Sequence, residues 1–406
     1  MENEKIEASV EATKGSVAKK KHHEMSGLGL KQALEEKENL FHGKDDIFGM
    51  TLLTNPGYIS SARNIMFTSH LRQLVNLTNP DFPKVFTNYE NIVGKNSTGY
   101  YEAKHDMEVV ARIPKFGIEN EQHLYLLFLY DRKNDKYSVI EKKIVEDLTE
   151  KFGYEYNNEV LDSKEVGSKV KKGEWLYQST SYDSDHNYCY GKNVRFAYML
   201  ENYTIEDAII VSESIANSMT SKEVETFKVP LNDNDILCNI YGDNDNYKSF
   251  PDIGEYIKNK ILCVKRRIHN DQLLFDLKKS NLRKINFNSD TPKFAEGRVV
   301  DINIYCNKTL DELEDNTFNR QLIKYIKYQK EFYTKVLEVC EQIKESGSKY
   351  SKDISFYLGK ARDILDDEVK WREEDNSVFG NIVIEFLVER TVGLAVGQKI
   401  TGRYGK

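Results

Sequence analysis

Three separated stretches of the chain carry residue types that could bind phosphates or a divalent metal ion. The last of them, VGQKITGRYGK, contains three glycines and the cations Lys399, Arg403 and Lys406. Glycines let a backbone approach a phosphate closely, and lysines neutralise its charge. The stretch is not a Walker A loop, because Gly402 is not followed by Lys-Ser/Thr. On its own, a loop of glycine and lysine is a weak signal.

The other two stretches are a cationic segment and an acidic pair. SARNIMFTSHLRQ, at 61–73, predicts a helix with Arg63 and Arg72 about two and a half turns apart. Taken alone, it is typical of a surface helix. In ENYTIEDAIIVSESI, at 201–215, Glu206 and Asp207 precede a predicted strand, AIIV. Adjacent carboxylates can hold a divalent cation, although such a dipeptide is more often a solvated turn.

Composition limits the function classes. The 406 residues are 39% hydrophobic and 30% charged, which is typical of a soluble globular protein of several domains. Apolar runs stay short of the roughly 18 residues of a membrane span, and we expect no secretory signal. The five cysteines form no CxxC pair, which favours a reducing compartment. With a net charge of −7, any contact with nucleic acid must come from a local patch.

The patterning predicts a strand-rich chain with an inserted helical hairpin. MEVVARI, HLYLLFLYD and YSVIEKKIV are typical of strands, and VGSKVKKGEWL at 166–176 and IGEYIKNKILC at 253–263 predict short hairpins. After residue 308, apolar residues recur at helical spacing on both sides of ESGSKY. SYDSDHNY at 181–188 is predicted to be a loop.

Together and in this order, the three stretches resemble the second half of the β subunit of multisubunit DNA-dependent RNA polymerases. ARNIMFTSHLRQ is similar to that family's A-N-R-A-L-M-x-x-N-M-Q-R-Q helix. YGKNVRFAYMLENYTIEDAIIVSES resembles its segment ending in E-D-S-I-x-x-S-E. FPDIGEYIKNKILC and EGRVVDINIY resemble the base of its flap, and VGQKITGRYGK resembles its G-D-K-x-x-x-R-H-G-x-K-G loop. The resemblance covers roughly residues 45–406.

The resemblance implies a mixed α/β, strand-rich fold with part of a double-psi β-barrel, an inserted flap domain and a helical hairpin. We expect six divisions along the chain. The first three are a disordered polar tail at 1–27, a helix-containing segment facing the NTP and the hybrid at 28–104, and a β-rich barrel segment with the Glu-Asp motif at 105–219. The last three are a flap-like β domain at 220–307, the helical hairpin at 308–372, and a barrel strand with the cleft loop at 373–406.

The resemblance also implies roles for individual residues. Lys399, with Arg403 and Lys406 in the same loop, would lie near the RNA 3′ end, and Glu206 and Asp207 near the second Mg²⁺. The substrate-binding positions would be Arg63, which faces the NTP triphosphate, Gln73 near the RNA of the hybrid, and Arg72. The metal triad N-A-D-F-D-G-D does not occur in this sequence, so Mg²⁺ would be bound mainly by a partner β′-type chain, and the chain alone would be inactive.

Some positions depart from the family pattern. Tyr404 stands where the family has His, and Gln398 where it has Asp. Lys406 lies one residue past Gly405 instead of two, so either Lys406 or a lysine of a partner chain would fill the second lysine position. The stretch that replaces the flap tip is short, which puts docking of an ordinary σ factor in doubt.

Because the sequence stops inside the loop, it resembles the split β subunits of giant bacteriophages, and we expect residues from about Val383 onward to be ordered only against a continuing partner chain. Other expected partners are further β fragments, β′-type chains, a promoter-specificity factor, template DNA, RNA and NTPs, with no membrane. The location would be the cytoplasm of an infected bacterium or the virion. The alternatives are an inactive structural paralogue in a virion and an RNA-binding barrel unrelated to transcription.

Overall fold

The computed structural model describes residues 51–97, 99–116, 124–149, 151–199, 201–202, 208–232, 235–243, 246–267, 290–309, 313, 320–366, 371 and 382–406. The predicted tail at 1–27 and the pair Glu206 and Asp207 lie outside these residues. The chain divides into two compact units. The first runs to Gln73 and also includes Thr401–Lys406, and the second is Leu74–Ile400.

In the described part of the first unit, the longest element is a helix, α1, Ser61–Arg72. Ser60 caps its N-terminus, where the side-chain oxygen accepts a hydrogen bond from the backbone N–H of Arg63 at 3.4 Å. A 3₁₀ turn at Pro56–Tyr58 precedes the helix. Leu52, Leu53 and Phe67 of this unit are buried, and Phe67 lies on α1.

The second unit is mostly β-structure, as the sequence predicts. The helices among its described residues are α2 Glu90–Lys95, α3 Glu159–Asp162, α4 Glu213–Ser218, α5 Arg320–Glu345 and α6 Lys352–Leu365. Its strands are β1 Tyr100–Glu102, β2 Met107–Pro114, β3 Tyr125–Asp131, β4 Lys136–Glu141, β5 Val145–Thr149, β6 Phe152–Asn157, β7 Lys169–Val170, β8 Trp175–Ser179, β9 Ser221–Leu231, β10 Asp235–Leu237, β11 Ile261–Arg267, β12 Asp290–Phe294, β13 Arg298–Cys306, β14 Lys349–Tyr350 and β15 Ile382–Val392. The helices of the described residues are too short or too polar to cross a membrane.

The largest sheet is antiparallel and follows the order β1-β8-β6-β9-β15-β13, with β5 paired to β6. It curls at β6, whose first residues pair with β9 and whose last residues pair with β8. The result is consistent with a half-barrel. Strand β15 lies between β9 and β13 and pairs with both. The expectation that this strand needs a partner chain was therefore wrong, because its backbone hydrogen bonds are made within the chain.

A second sheet carries the helical hairpin. Its order is β14-β4-β3-β2-β7, and β3 is buried along nearly its whole length. Side chains alternate along a strand, so β3 serves two cores. Leu126 and Phe128 pack with α5 and α6, while Leu127 and Leu129 belong to a core with α3 and β8. The predicted helices are confirmed: α5 ends at Glu345 and α6 begins at Lys352, on either side of the interruption.

Both predicted hairpins were wrong. In 166–176, β7 pairs with β2 in the second sheet and β8 pairs with β1 and β6 in the first, so the turn connects two sheets. In 253–263, a 3₁₀ turn at Lys258–Lys260 leads into β11, which pairs with β10 and β12 in a third, three-stranded sheet. The correct strand partners lie further away in sequence, where a local pattern cannot find them.

The burial of Phe386 predicts that this side chain contributes strongly to the stability of the second unit. Phe386 on β15 is fully buried and its ring lies edge-on to Phe250, with centroids 5.3 Å apart. We expect Phe386→Ala to lower the free energy of unfolding by about 3–5 kcal/mol, because a large cavity is created. Urea titration of the full chain measures this. Phe356→Ala on α6, where the side chain is 61% exposed, is the control and should stay within about 0.5 kcal/mol. Equal losses would contradict the assigned core.

Candidate functional site

The turn at Thr401–Lys406 docks on α1, and this contact brings together two of the stretches singled out in the sequence. The guanidinium Nη1 of Arg63 donates to the carbonyl oxygen of Gly405 at 2.9 Å, and its Cζ lies 6.0 Å from the ring centroid of Tyr404. About two turns further along α1, Nδ1 of His70 lies 3.0 Å from Oγ1 of Thr401. Arg63 and His70 are seven residues apart and therefore share a face of the helix.

Gly405 makes this docking sterically possible. Its φ is +75°, a left-handed conformation that a residue with a Cβ adopts only at a cost. A Cβ at this position would lie 2.8 Å from the carbonyl oxygen of Arg63 and 3.1 Å from the backbone nitrogen of Phe67. The backbone of the turn thus rests directly on the backbone of α1. By contrast, a Cβ at Gly402 would meet one atom of the described residues within 4 Å, the backbone oxygen of Lys406 at 3.6 Å.

Further hydrogen bonds fix the shape of the turn. The N–H of Gly402 donates to the carbonyl oxygen of Lys406 at 2.9 Å, and the N–H of Gly405 donates to that of Gly402 at 3.2 Å. Arg403 Nη2 donates to the carbonyl oxygen of Leu52 at 2.6 Å. Both backbone and side-chain hydrogen bonds therefore fix the turn. Lys406, at the end of this turn, is exposed.

The cations of the first unit are not all equivalent. Arg63 and Arg403 are half-buried, and each donates to a backbone carbonyl oxygen of its own unit. Nη1 of Arg63 also lies 3.7 Å from Sδ of Met66. Because a guanidinium has five N–H donors, Arg63 can hold its position and still donate to an anion. Arg72 and Gln73, at the C-terminal end of α1, are exposed. Arg72 is two and a half turns from Arg63, so it lies on the opposite side of the helix.

Lys399 belongs to the second unit, in the segment that follows β15. A turn closes at Gln398, whose N–H donates to the carbonyl oxygen of Ala395 at 3.2 Å and whose Oε1 accepts from the N–H of Ala395 at 2.8 Å. Gly397 within it has a φ of +92°. Lys399 itself is exposed and has no ion-pair or hydrogen-bond partner among the described residues. Its ammonium group is available to a ligand.

The surroundings of the acidic pair differ from the prediction. Glu206 and Asp207 are outside the described residues, so their geometry stays a prediction. The expected strand AIIV is absent from the described residues that follow: 208–212 forms no ladder, and Ile209 and Ile210 are 57% and 59% exposed. Helix α4 starts immediately afterwards, where Ser212 Oγ accepts from the N–H of Ile215 at 3.4 Å. An apolar run without a paired neighbour strand does not become a strand.

Two other chemistries find no support in the described residues. Within those ranges, no group of three or more His, Cys, Asp or Glu side chains is placed to hold a metal ion. SYDSDHNY is a loop, as predicted. Tyr182 and Tyr188 form an isolated antiparallel β-bridge, and Asp183 Oδ1 accepts hydrogen bonds from the backbone N–H groups of Asp185 and Asn187. Burial raises the pKa of the Cys189 thiol to about 12, so little thiolate forms near neutral pH.

Sequence reasoning missed three residues that shape the site, namely His70, Tyr404 as a neighbour of Arg63, and Leu52 as the acceptor for Arg403. The seven-residue interval between Arg63 and His70 was the available signal for His70. A backbone acceptor such as that of Leu52 leaves no signature in sequence.

The known proteins to which this chain is similar include several bacterial RNA polymerase β subunits. The chain is 27% identical over 198 residues to the DNA-directed RNA polymerase subunit beta of Lysinibacillus sphaericus (strain C3-41), which covers 48% of this chain and 16% of that protein. It is 25% identical over 285 residues to the subunit of Prochlorococcus marinus (strain MIT 9312), covering 62% and 24%. For Listeria monocytogenes serovar 1/2a (strain ATCC BAA-679 / EGD-e), identity is 30% over 203 residues, covering 48% and 16%.

The aligned part thus spans between about a sixth and a quarter of the length of these curated relatives. No family model matches the chain. The similarity nevertheless agrees with the resemblance drawn from the three stretches.

Proposed function

We propose that the chain is a β-type subunit of a DNA-directed RNA polymerase and forms part of the cleft that holds NTP, the RNA 3′ end and the RNA–DNA hybrid. The observation that carries the proposal is the similarity to bacterial β subunits, which reaches 30% identity over 203 residues. The docking of Thr401–Lys406 on α1 supports it, because two stretches that carry the resemblance meet although Arg63 and Gly405 are 342 residues apart.

In this proposal the cations stabilise negative charge on phosphates during nucleotidyl transfer. Arg63 faces the triphosphate of the NTP, and the exposed ammonium of Lys399 acts near the RNA 3′ end. Arg403 and Lys406 contribute from the docked turn, and either Lys406 or a lysine of a partner chain fills the second lysine position. The exposed Arg72 and Gln73 lie toward the nucleic acid.

Mg²⁺ would be bound mainly by a β′-type partner that carries the aspartate triad, and it supplies charge neutralisation to the reacting phosphates. Glu206 and Asp207 of this chain would lie near the second ion. Other partners in the proposal are further β-type chains, a promoter-specificity factor, template DNA and RNA. The more specific resemblance to split subunits of giant bacteriophages, with a location in the infected cell or the virion, stays a prediction.

The acidic pair gives a prediction of its own. We expect Glu206→Ala with Asp207→Ala to raise the Mg²⁺ and NTP concentrations needed for half-maximal RNA synthesis by about tenfold or more, because charged hydrogen-bond partners are lost. Assembly should be unaffected. Glu338→Ala with Glu345→Ala, two exposed acids of α5, is the matched control. Failure of the Glu206/Asp207 variant to assemble would show that these acids are structural.

The identity of the partner chains tests the proposed function. We expect affinity purification of the tagged full chain from its native cells, followed by mass spectrometry, to recover a chain that contains N-A-D-F-D-G-D. A stable complex that lacks any such chain would overturn the polymerase assignment and favour an inactive structural paralogue.

A further inference from the structure

A cleft of about 350 Å³ opens in the second unit between one face of the β9–β15 pair and the segment Phe294–Glu296. Its volume lies within the range of about 300–1,000 Å³ that is typical of ligand sites. Strand register explains its lining. Glu223, Glu225 and Phe227 alternate along β9 and therefore share a face, on which Val388 lies opposite Glu225 and Arg390 opposite Glu223.

The two ends of the cleft differ in chemistry. At one end, four side chains form an ion-pair network. Arg390 pairs with Glu223, and its Nη1 lies 3.6 Å from Oε2 of Glu296. Nζ of Lys260 lies 3.0 Å from the same oxygen. The other end is aromatic, with Phe227 half-buried and Phe294 62% exposed. Lys293 Nζ lies 5.6 Å from the ring centroid of Phe227, so that ring already faces a cation of the chain.

Between these ends lies one carboxylate without a cation. Glu225 is exposed above the buried Val388 and has no ion-pair or hydrogen-bond partner among the described residues. The lining contains Glu223, Glu225 and Glu296 against Lys260 and Arg390, and both cations are already paired. The net charge of the lining is negative, which disfavours phosphate-bearing ligands such as nucleotides.

We propose that this cleft binds the guanidinium group of an arginine side chain supplied by a protein partner. A guanidinium is planar, stacks on aromatic rings and pairs with a carboxylate, so it matches Phe294 and Glu225 together. The rim that presents Phe294 is anchored, because the N–H of Ala295 donates to the carbonyl oxygen of Lys260 at 3.1 Å. This site is separate from the residues of the proposed polymerase function and does not rest on that function.

The test uses Nα-acetyl-arginine methylamide as the probe and saturation-transfer difference NMR on the full chain to measure its Kd. The neutral citrulline analogue has nearly the same shape and should not bind. We expect Glu225→Gln to weaken arginine binding about fivefold, the effect of losing one exposed ion pair. Glu338→Gln, an exposed acid on α5, removes the same charge elsewhere and should leave the Kd unchanged.

A second variant separates stacking from charge. Phe294→Ala should weaken the arginine probe more than Nα-acetyl-lysine methylamide, since only the guanidinium stacks as a plane. Thermal unfolding of each variant checks that the fold is intact. Equal binding of the arginine and citrulline probes, an unchanged Kd in Glu225→Gln, or no saturable binding by the wild-type chain would each overturn the proposal.

Discussion

Lys399→Ala is expected to slow RNA chain elongation by the proposed polymerase complex by on the order of 10²–10³, the usual cost of losing one preorganised donor to reacting phosphates. Lys399 is exposed and has no ion-pair or hydrogen-bond partner among the described residues, so its removal should leave the fold unchanged. Binding to nucleic acid should weaken only modestly, because one phosphate contact among many changes the salt slope by about 1. Stopped-flow elongation and salt-dependent binding measure the two effects separately.

The control for this variant is Lys335→Ala, which removes an equal charge from the surface of α5, where Lys335 pairs with Glu331 at 2.7 Å. It should elongate at the wild-type rate. If Lys399→Ala elongates as fast as the control, Lys399 is not a residue of the active cleft. If the elongation rate and the affinity for nucleic acid of Lys399→Ala fall by the same factor, the role of Lys399 is general electrostatic attraction of nucleic acid.

Gly405→Ala is expected to lower elongation by the proposed polymerase complex by about 10². It would shift the proposed NTP-binding Arg63, and a displacement of about 1 Å can cost that factor. The added Cβ would lie 2.8 Å from the backbone oxygen of Arg63, and alanine disfavours the φ of +75°. The turn must therefore lift from α1, which removes the acceptor of the Arg63 guanidinium. Amide hydrogen exchange at 401–406 should accelerate at the same time.

Gly402→Ala is the matched control in the same turn. A Cβ there has ordinary van der Waals distance to its nearest neighbour, and the φ of Gly402 is not in the left-handed region. It should leave both elongation and hydrogen exchange near wild type. Equal effects of the two substitutions would mean that the turn tolerates no side chain at all, and the specific docking of Gly405 on α1 would lose its support.

Local residue patterns were sufficient to predict the elements whose own sequence has a clear helical or strand pattern. The long helix α5 is apolar at helical spacing from Leu322 to Ile343, and β2, β3 and β4 follow runs of β-branched and aromatic residues. Most apolar residues of these elements are buried or half-buried. The sequence pattern and the packing therefore agree.

Prediction failed where the partner of an element lies far away in the chain. AIIV has the composition of a strand, yet 208–212 forms no ladder. The two supposed hairpins place their strands against partners more than 20 residues away, such as β2 for β7. For β15, the neighbour β9 begins 161 residues earlier, at Ser221, so no local rule could show that this strand is paired on both sides.

The candidate site divides in the same way. Arg63, Lys399, Arg403 and Lys406 were found because residue type and order resemble a known pattern. The geometry that joins Arg63 to Gly405 could not be deduced, since it depends on a backbone acceptor and on the absence of a Cβ at one position.

RNA synthesis on a primed RNA–DNA scaffold with Mg²⁺ and NTPs, by the complex purified through this chain, tests the central claim most directly. We expect the complex to extend the primer and the isolated full chain to incorporate no nucleotide, because its sequence contains no N-A-D-F-D-G-D triad. We also expect the complex that contains Lys399→Ala to extend the primer far more slowly. Nucleotide incorporation by the isolated chain, or a purified complex that cannot extend the primer, would contradict the account.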